Sequence, residues 1–263
     1  LSEYMRLGFA GFIYDFKDTD YTRTAYNLIK RHRYPHKFYY VSFDRPERSY
    51  RFNPLKVVRD RTELIQLMED VLLALLPKKE QQNEWVAGGL GILRGVAFRF
   101  WDEFPEHCTL PHILAFIMTA SARQLSLFLQ QNLVSEMLAG AYLKAEGSEK
   151  TQASYLSTLC NNLATISQNE EIAYVLSGDD FDFNLIDPEN PKLFAVSNNF
   201  SKNSVYAPVI SMLMTISARQ FSMQNRVPFV YFLDEMTTVN IKNFETLPSV
   251  LREYKAAFIL LTQ

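Results

Sequence analysis

Apolar residues along this chain follow two alternating patterns. Short, nearly unbroken runs occur at Phe12–Tyr14, Phe38–Phe43, Leu193–Val196, Phe229–Leu233 and Ala256–Leu261. Runs of this kind, bounded by polar residues, predict strands buried in a parallel sheet. Between them the apolar positions take helical spacing, over Thr22–Lys30, over Val205–Phe221, and at Leu247, Val250, Leu251 and Tyr254. Strand, helix and strand in succession predict parallel units and an α/β fold.

Residues 60–165 break that alternation. Glu63–Leu76 carries apolar residues at helical spacing up to Pro77, and Trp85–Trp101 is a second amphipathic helix despite its glycines. Thr109 followed by Pro111 predicts an N-cap and a first turn. Leu125–Leu143 and Ala153–Ile166 complete the helical set, separated by the polar stretch 146–150, and α/β character returns near Gly178. The expected organisation is a sheet domain in two parts, 1–59 and 166–263, interrupted by an all-α insert over 60–165.

The candidate chemistry sits at the end of one strand. Phe229–Leu233 runs directly into Asp234 and Glu235. In open α/β sheets the C-terminal edge is where ligands bind, because the connecting loops converge there. An Asp in that place can hold Mg²⁺ through water, and the adjacent Glu can orient or deprotonate an attacking water, the Walker B arrangement of P-loop NTPases. The same residues also fit a plain strand followed by a solvated turn. Beyond them come a helix containing Leu247-Pro248 and Arg252, then a strand closing in Thr262-Gln263. This is the order of RecA-like motors.

These residues resemble the motor domain of type IV secretion coupling proteins, the TraG/TraD group. That group carries Leu-Asp-Glu, a Leu-Pro helix with an Arg, and a strand ending in Gln. Asn53-Pro54-Leu55 matches the group as well, and so does the helix start at Cys108-Thr109-Leu110. Asp15-Phe16-Lys17-Asp18 stands where the group has Asp-Pro-Lys-Gly-Glu, a departure that leaves the duty of Asp15 and Lys17 open. The resemblance spans the whole chain, strongest from Pro228 onward and weakest in the helical insert. It implies an incomplete RecA-like P-loop NTPase sheet with an inserted all-α domain, belonging to an ATPase that delivers DNA and its attached relaxase to a type IV secretion channel. It further implies ATP and Mg²⁺ as cofactors, a homo-hexamer, and a place on the cytoplasmic face of the bacterial inner membrane through an N-terminal anchor. The roles it implies are Asp234 for Mg²⁺, Glu235 for the attacking water, Gln263 for sensing the γ-phosphate, and Arg252 for a neighbouring subunit's nucleotide.

None of the nine glycines belongs to a G-x-x-x-x-G-K-[ST] phosphate loop, and the densest cluster, Gly88–Gly95, has no Lys-Ser or Lys-Thr after it. The expectation is a fragment that begins after that loop and ends before the sheet is complete, binding nucleotide poorly by itself. A net charge of −2 supplies no global field for nucleic acid, so DNA contact must be local or repeated around a ring. The candidates are Arg45, Arg48 and Arg51 before Asn53, and Lys78, Lys79, Arg94 and Arg99 in the insert. Tyr50, Phe52, Phe98 and Phe100 are placed to stack on bases, or else to fill the core. Cys108 and Cys160 match no metal or redox spacing and read as reduced thiols. Rival readings are an FtsK/HerA-like or other secretion ATPase, and a non-catalytic docking module built on residues 60–165.

Overall fold

The computed structural model describes residues 1–263 except residues 18, 78, 242 and 263, and the side chain of residue 146. In chain order the elements are α1 (Ser2–Arg6), β1 (Ala10–Asp15), α2 (Asp20–His32), β2 (Lys37–Ser42), α3 (Arg61–Ala74), α4 (Glu84–Glu103), α5 (Leu110–Thr119), α6 (Ala122–Gln130), α7 (Leu133–Leu138), α8 (Gly140–Lys144), α9 (Glu149–Ser167), α10 (Glu170–Leu176), β3 (Lys192–Ser197), α11 (Asn203–Arg219), β4 (Phe229–Asp234), α12 (Leu247–Arg252) and β5 (Ala256–Leu261). They form two compact units, Leu1–Val57 with Gly178–Gln263, and Val58–Ser177. The second unit includes α10, which lies past the boundary at 165 expected from the sequence.

The first unit is a five-stranded sheet in the order β2-β3-β1-β4-β5, with all four pairings parallel. Every residue of β1, β3 and β4 is buried, as continuous apolar strands covered on both faces must be. On one face Ile13, Leu193, Ala195 and Phe232 pack with Met5 of α1 and Ala25 of α2. On the other, Phe12 packs between Phe194 and Tyr231, and the Tyr231 hydroxyl meets Ser217 of α11 at 2.9 Å. Period-two alternation of side chains produces this division.

The helical unit is built around α4. Its glycines, the densest cluster in the sequence, sit inside the helix and are there for packing. A Cβ on Gly91 would stand 2.7 Å from the Leu138 carbonyl oxygen, and one on Gly95 would stand 2.9 Å from that of Ser135. The missing side chains let the helices approach backbone to backbone. Asn83 caps α4 through the Trp85 amide, and Thr109 caps α5 through His112 as expected.

The single helix expected over Leu125–Leu143 is three helices. Ser121 and Gln124 form a capping box that starts α6 before Leu125. The Asn132 side chain then accepts from the amides of Val134 and Ser135 and starts α7 afresh. α8 begins at Gly140.

Candidate functional site

β1 and β4 are neighbours inside the sheet, and their last paired residues are Tyr14 and Leu233. The next residue on each strand is an aspartate, so Asp15 and Asp234 emerge level on adjacent strand tips. Alternation puts them on the same face as Ile13 and Phe232, the face packed against α2. Asp15 is fully buried and Asp234 is 5% exposed. Asp15 Oδ2 accepts the Thr22 amide of α2 at 2.8 Å, and Asp234 accepts the Phe16 amide. One oxygen of each carboxylate, Asp15 Oδ1 and Asp234 Oδ2, is buried without a partner. Burial raises the pKa of both carboxyls, and negative neighbours add to the rise, Asp20 for Asp15 and Asp15 with Glu235 for Asp234; together these outweigh the lowering by Thr22 and the Lys17 amide at Asp15 and by the Phe16 amide and the Lys17 charge at Asp234.

Unsatisfied carboxylate oxygens are hard donors, and this arrangement fits a small divalent cation. Among the described residues no group of three or more His, Cys, Asp or Glu side chains is placed to hold a metal ion. Zn²⁺ and tightly chelated Ca²⁺ call for larger donor sets than this pair. Mg²⁺ is satisfied by one or two carboxylates, with waters and phosphate oxygens completing its octahedron.

Glu235 follows with φ 47° and ψ 52°, a left-handed conformation that costs a non-glycine residue about 1–2 kcal/mol. Such a conformation persists only when its surroundings fix it. Here Thr238 supplies both its amide, at 2.9 Å, and its hydroxyl, at 2.7 Å, to the Glu235 carbonyl. Since the Thr238 hydrogen is spent there, the Tyr14 hydroxyl donates to Thr238 Oγ1 at 2.7 Å and itself accepts from Asn198 Nδ2 at 2.8 Å. The β3 tip, the β1 strand and the turn after β4 are thereby tied to one another. Further along the same edge, Asp44 follows β2 and receives hydrogen bonds from Lys202, Asn199 and Tyr206. Burial opposes its ionisation, but those donors hold its pKa below the ordinary value. Sequence reasoning missed Tyr14, Asn198, Thr238 and the Asp44 cluster. The one signal available was that each lies within a few residues of a strand end.

The family described as Type IV secretory system Conjugative DNA transfer matches residues 13–263. The chain belongs to that family. No curated protein matches it significantly. Among solved structures it is similar to the bacterial conjugative coupling protein TrwBdeltaN70, trigonal form in complex with sulphate, with a TM-score of 0.66 at 14% identity over 96% of this chain and 63% of that one. It is likewise similar to the plasmid coupling protein TrwB in complex with ADP and Mg2+, with a TM-score of 0.65, 14% identity and the same coverage. A third similar structure is TrwB with the non-hydrolysable ATP analogue ADPNP, with a TM-score of 0.65, 13% identity and coverage of 96% and 63%. The chain thus spans 63% of the length of these structures.

The conjugative-transfer family and the observed parallel sheet agree with the α/β, RecA-like fold expected from the sequence. Other expected site residues are dispersed. Arg252 is the exposed last residue of α12, and Gln263 lies outside the described residues. Arg45 is half-buried and Arg48 exposed in the turn after β2, while the backbone amide of the half-buried Arg51 donates to Asp180 at 2.7 Å. Lys79 is exposed after α3, and Lys78 lies outside the described residues.

Two arginines offered for DNA contact are structural. Arg99 is 6% exposed, pairs with Glu103 at 2.9 Å, donates to the Phe128 carbonyl and lies over the Phe128 ring. Its charge is fully engaged inside the helical unit. Arg94 ties α4 to α3 through Glu69 at 2.7 Å. Of the aromatic residues considered for stacking, Phe52 and Phe98 are core, and Phe100 packs among Phe104, Phe116 and Phe128. Cys108 is a buried thiol whose pKa is pushed up to about 12, which makes it inert. No helix among the described residues is long and apolar enough to cross a membrane.

Proposed function

We propose that the whole protein is a coupling ATPase, which uses Mg²⁺ and ATP to deliver DNA with its attached relaxase to a type IV secretion channel. The observation that carries this reading is the pair of buried, half-satisfied aspartates on adjacent strand tips. Such an arrangement loses stability in a free protein and regains it when a cation arrives. Asp234, with Asp15 beside it, would hold Mg²⁺, whose chemistry is to neutralise charge on the transferring phosphoryl group. Glu235, set on a fixed left-handed turn one residue later, orients the attacking water and takes its proton. Gln263, two positions after Leu261 in the sequence, senses the γ-phosphate, and Arg252 reaches the nucleotide of a neighbouring subunit in a homo-hexamer on the cytoplasmic face of the inner membrane.

The family match, and the nucleotide-bound coupling proteins of similar fold, support the class of activity. The test is Glu235→Gln in the protein expressed from its whole reading frame. ATP turnover should fall at least about 100-fold while nucleotide affinity stays unchanged. Unaltered turnover removes Glu235 from the mechanism.

A further inference from the structure

A surface groove of about 460 Å³ runs between α2 and β2 and its following turn, inside the sheet unit, and touches the aspartate pair through Thr22, whose amide Asp15 accepts. It is lined by Arg23, Arg45 and Arg48 and by Tyr26, Tyr40 and Tyr50, and no carboxylate is among its described lining residues. Two acids border it without lining it: Glu47 stands 3.7 Å from Arg48, both about two-thirds exposed, and the buried Asp15 accepts the amide of Thr22, a lining residue, at 2.8 Å. Lys30 adds a further positive charge, 4.4 Å from the centre of the Tyr26 ring.

The rings are large apolar surfaces left open to water, with Tyr26 49% and Tyr50 43% exposed. Tyr50 and Tyr40 are also held in position. Tyr39 braces Tyr50 edge-on at 5.0 Å, and the Tyr40 hydroxyl accepts from Ser197 at 3.3 Å. Cations alternating with exposed aromatic rings complement a ligand that alternates anions with planar apolar groups. An acidic peptide supplies the anions alone. Duplex DNA keeps its bases stacked inward and offers the rings nothing. A single strand presents both its phosphates and its unstacked bases.

We propose that this groove is a binding site for single-stranded DNA, with Arg23, Arg45 and Arg48 on phosphates and Tyr26 and Tyr50 stacking on bases. The proposal rests on the DNA-delivery reading above, but it uses none of the residues assigned there to nucleotide chemistry.

The test is fluorescence anisotropy with a labelled oligothymidylate of about 12 nucleotides, titrated with the whole protein at several salt concentrations. The same salt series is run with inorganic polyphosphate and with a duplex of equal length. Arg23→Gln with Arg48→Gln, both at exposed positions, should lower the slope of log affinity against log salt by about 1.4. Tyr26→Ser with Tyr50→Ser should weaken oligothymidylate binding at least about tenfold and leave polyphosphate binding as it was. Circular dichroism of each variant shows that the fold is retained, and the arginine variant decides the matter if the tyrosine variant unfolds. Wild-type affinity in both variants overturns the proposal. So does an equal loss toward polyphosphate, which marks a general anion site, or a duplex bound as tightly as the single strand. If these results fail while Glu235→Gln still abolishes ATP turnover, the groove is wrong and the motor reading stands.

Discussion

In the helical unit the guanidinium of Arg99 is buried with its charge answered from three sides, by Glu103, by the Phe128 carbonyl and by the Phe128 ring. Arg94 leaves its Nε without a partner, yet Nη2 of the same group is tied to Glu69. In the sheet unit Asp15 and Asp234 are buried side by side with like charge, and an oxygen of each goes unanswered. The first arrangement is what a group does when its task is to hold helices together. The second lowers the stability of the fold and persists where a ligand completes it. Even along the strand tips the contrast repeats, since Asp44 is surrounded by donors and its pKa is lowered, while burial raises that of Asp234.

The largest effect that would break this comparison is the loss of turnover in Glu235→Gln. Tyr14→Phe is the next. It removes the donor that fixes Thr238, and through Thr238 the Glu235 turn. ATP turnover should fall about tenfold, as when a partner that orients a ligand is lost, while stability in urea unfolding falls by about 1–2 kcal/mol because the Asn198 amide loses its acceptor. A turnover equal to wild type would detach Glu235 from its support. In the helical unit Arg99→Ala should cost about 3 kcal/mol in urea unfolding, because it opens a buried space and strands a carbonyl. A cost under about 0.5 kcal/mol would make Arg99 an ordinary surface charge. Gly95→Val should cost about 2 kcal/mol by forcing α4 away from α7.

Much of this was legible in the sequence, and for physical reasons. A strand buried on both faces has no polar residue until it ends, so Phe229–Asp234 was visible with nearly its observed limits; Ala256–Leu261 was as visible from its apolar run, although β5 lies at the end of the observed sheet and only Ala256 in it is buried. What was not legible depended on packing. The segments Thr119–Ser126 and Thr215–Ser222 share Thr-x-Ser-Ala-Arg-Gln-x-Ser. In the first, Ser121 caps a new helix through the Gln124 amide. In the second, Ser217 is buried inside α11 and bonds the Tyr231 hydroxyl. One local sequence takes two structures because its neighbours differ. The same cause hid Arg99, whose charge is silent in a sequence until Phe128 is seen above it. It hid the pairing of Asp15 with Asp234 too, since the two residues are far apart in the chain and meet only through the parallel register of β1 and β4.

pH gives the comparison its sign. A carboxyl whose pKa is raised by folding stabilises the fold below the ordinary carboxylate pKa of about 4, and that contribution is lost as the pH rises through the raised value. Asp234 therefore weakens the metal-free fold at neutral pH. Asp44, with a lowered pKa, does the reverse: its contribution is present above about pH 4 and lost as the pH falls through the lowered value.

The most direct measurement is urea unfolding of the metal-free protein at pH 7 for wild type, Asp234→Asn and Asp44→Asn. The account predicts that Asp234→Asn is more stable than wild type, with a gain that shrinks as the pH is lowered toward about 4, and that Asp44→Asn is less stable. Destabilisation by both substitutions to a similar degree would mean that the Asp234 carboxylate is satisfied within the fold, contradicting the claim that it is held there for a cation.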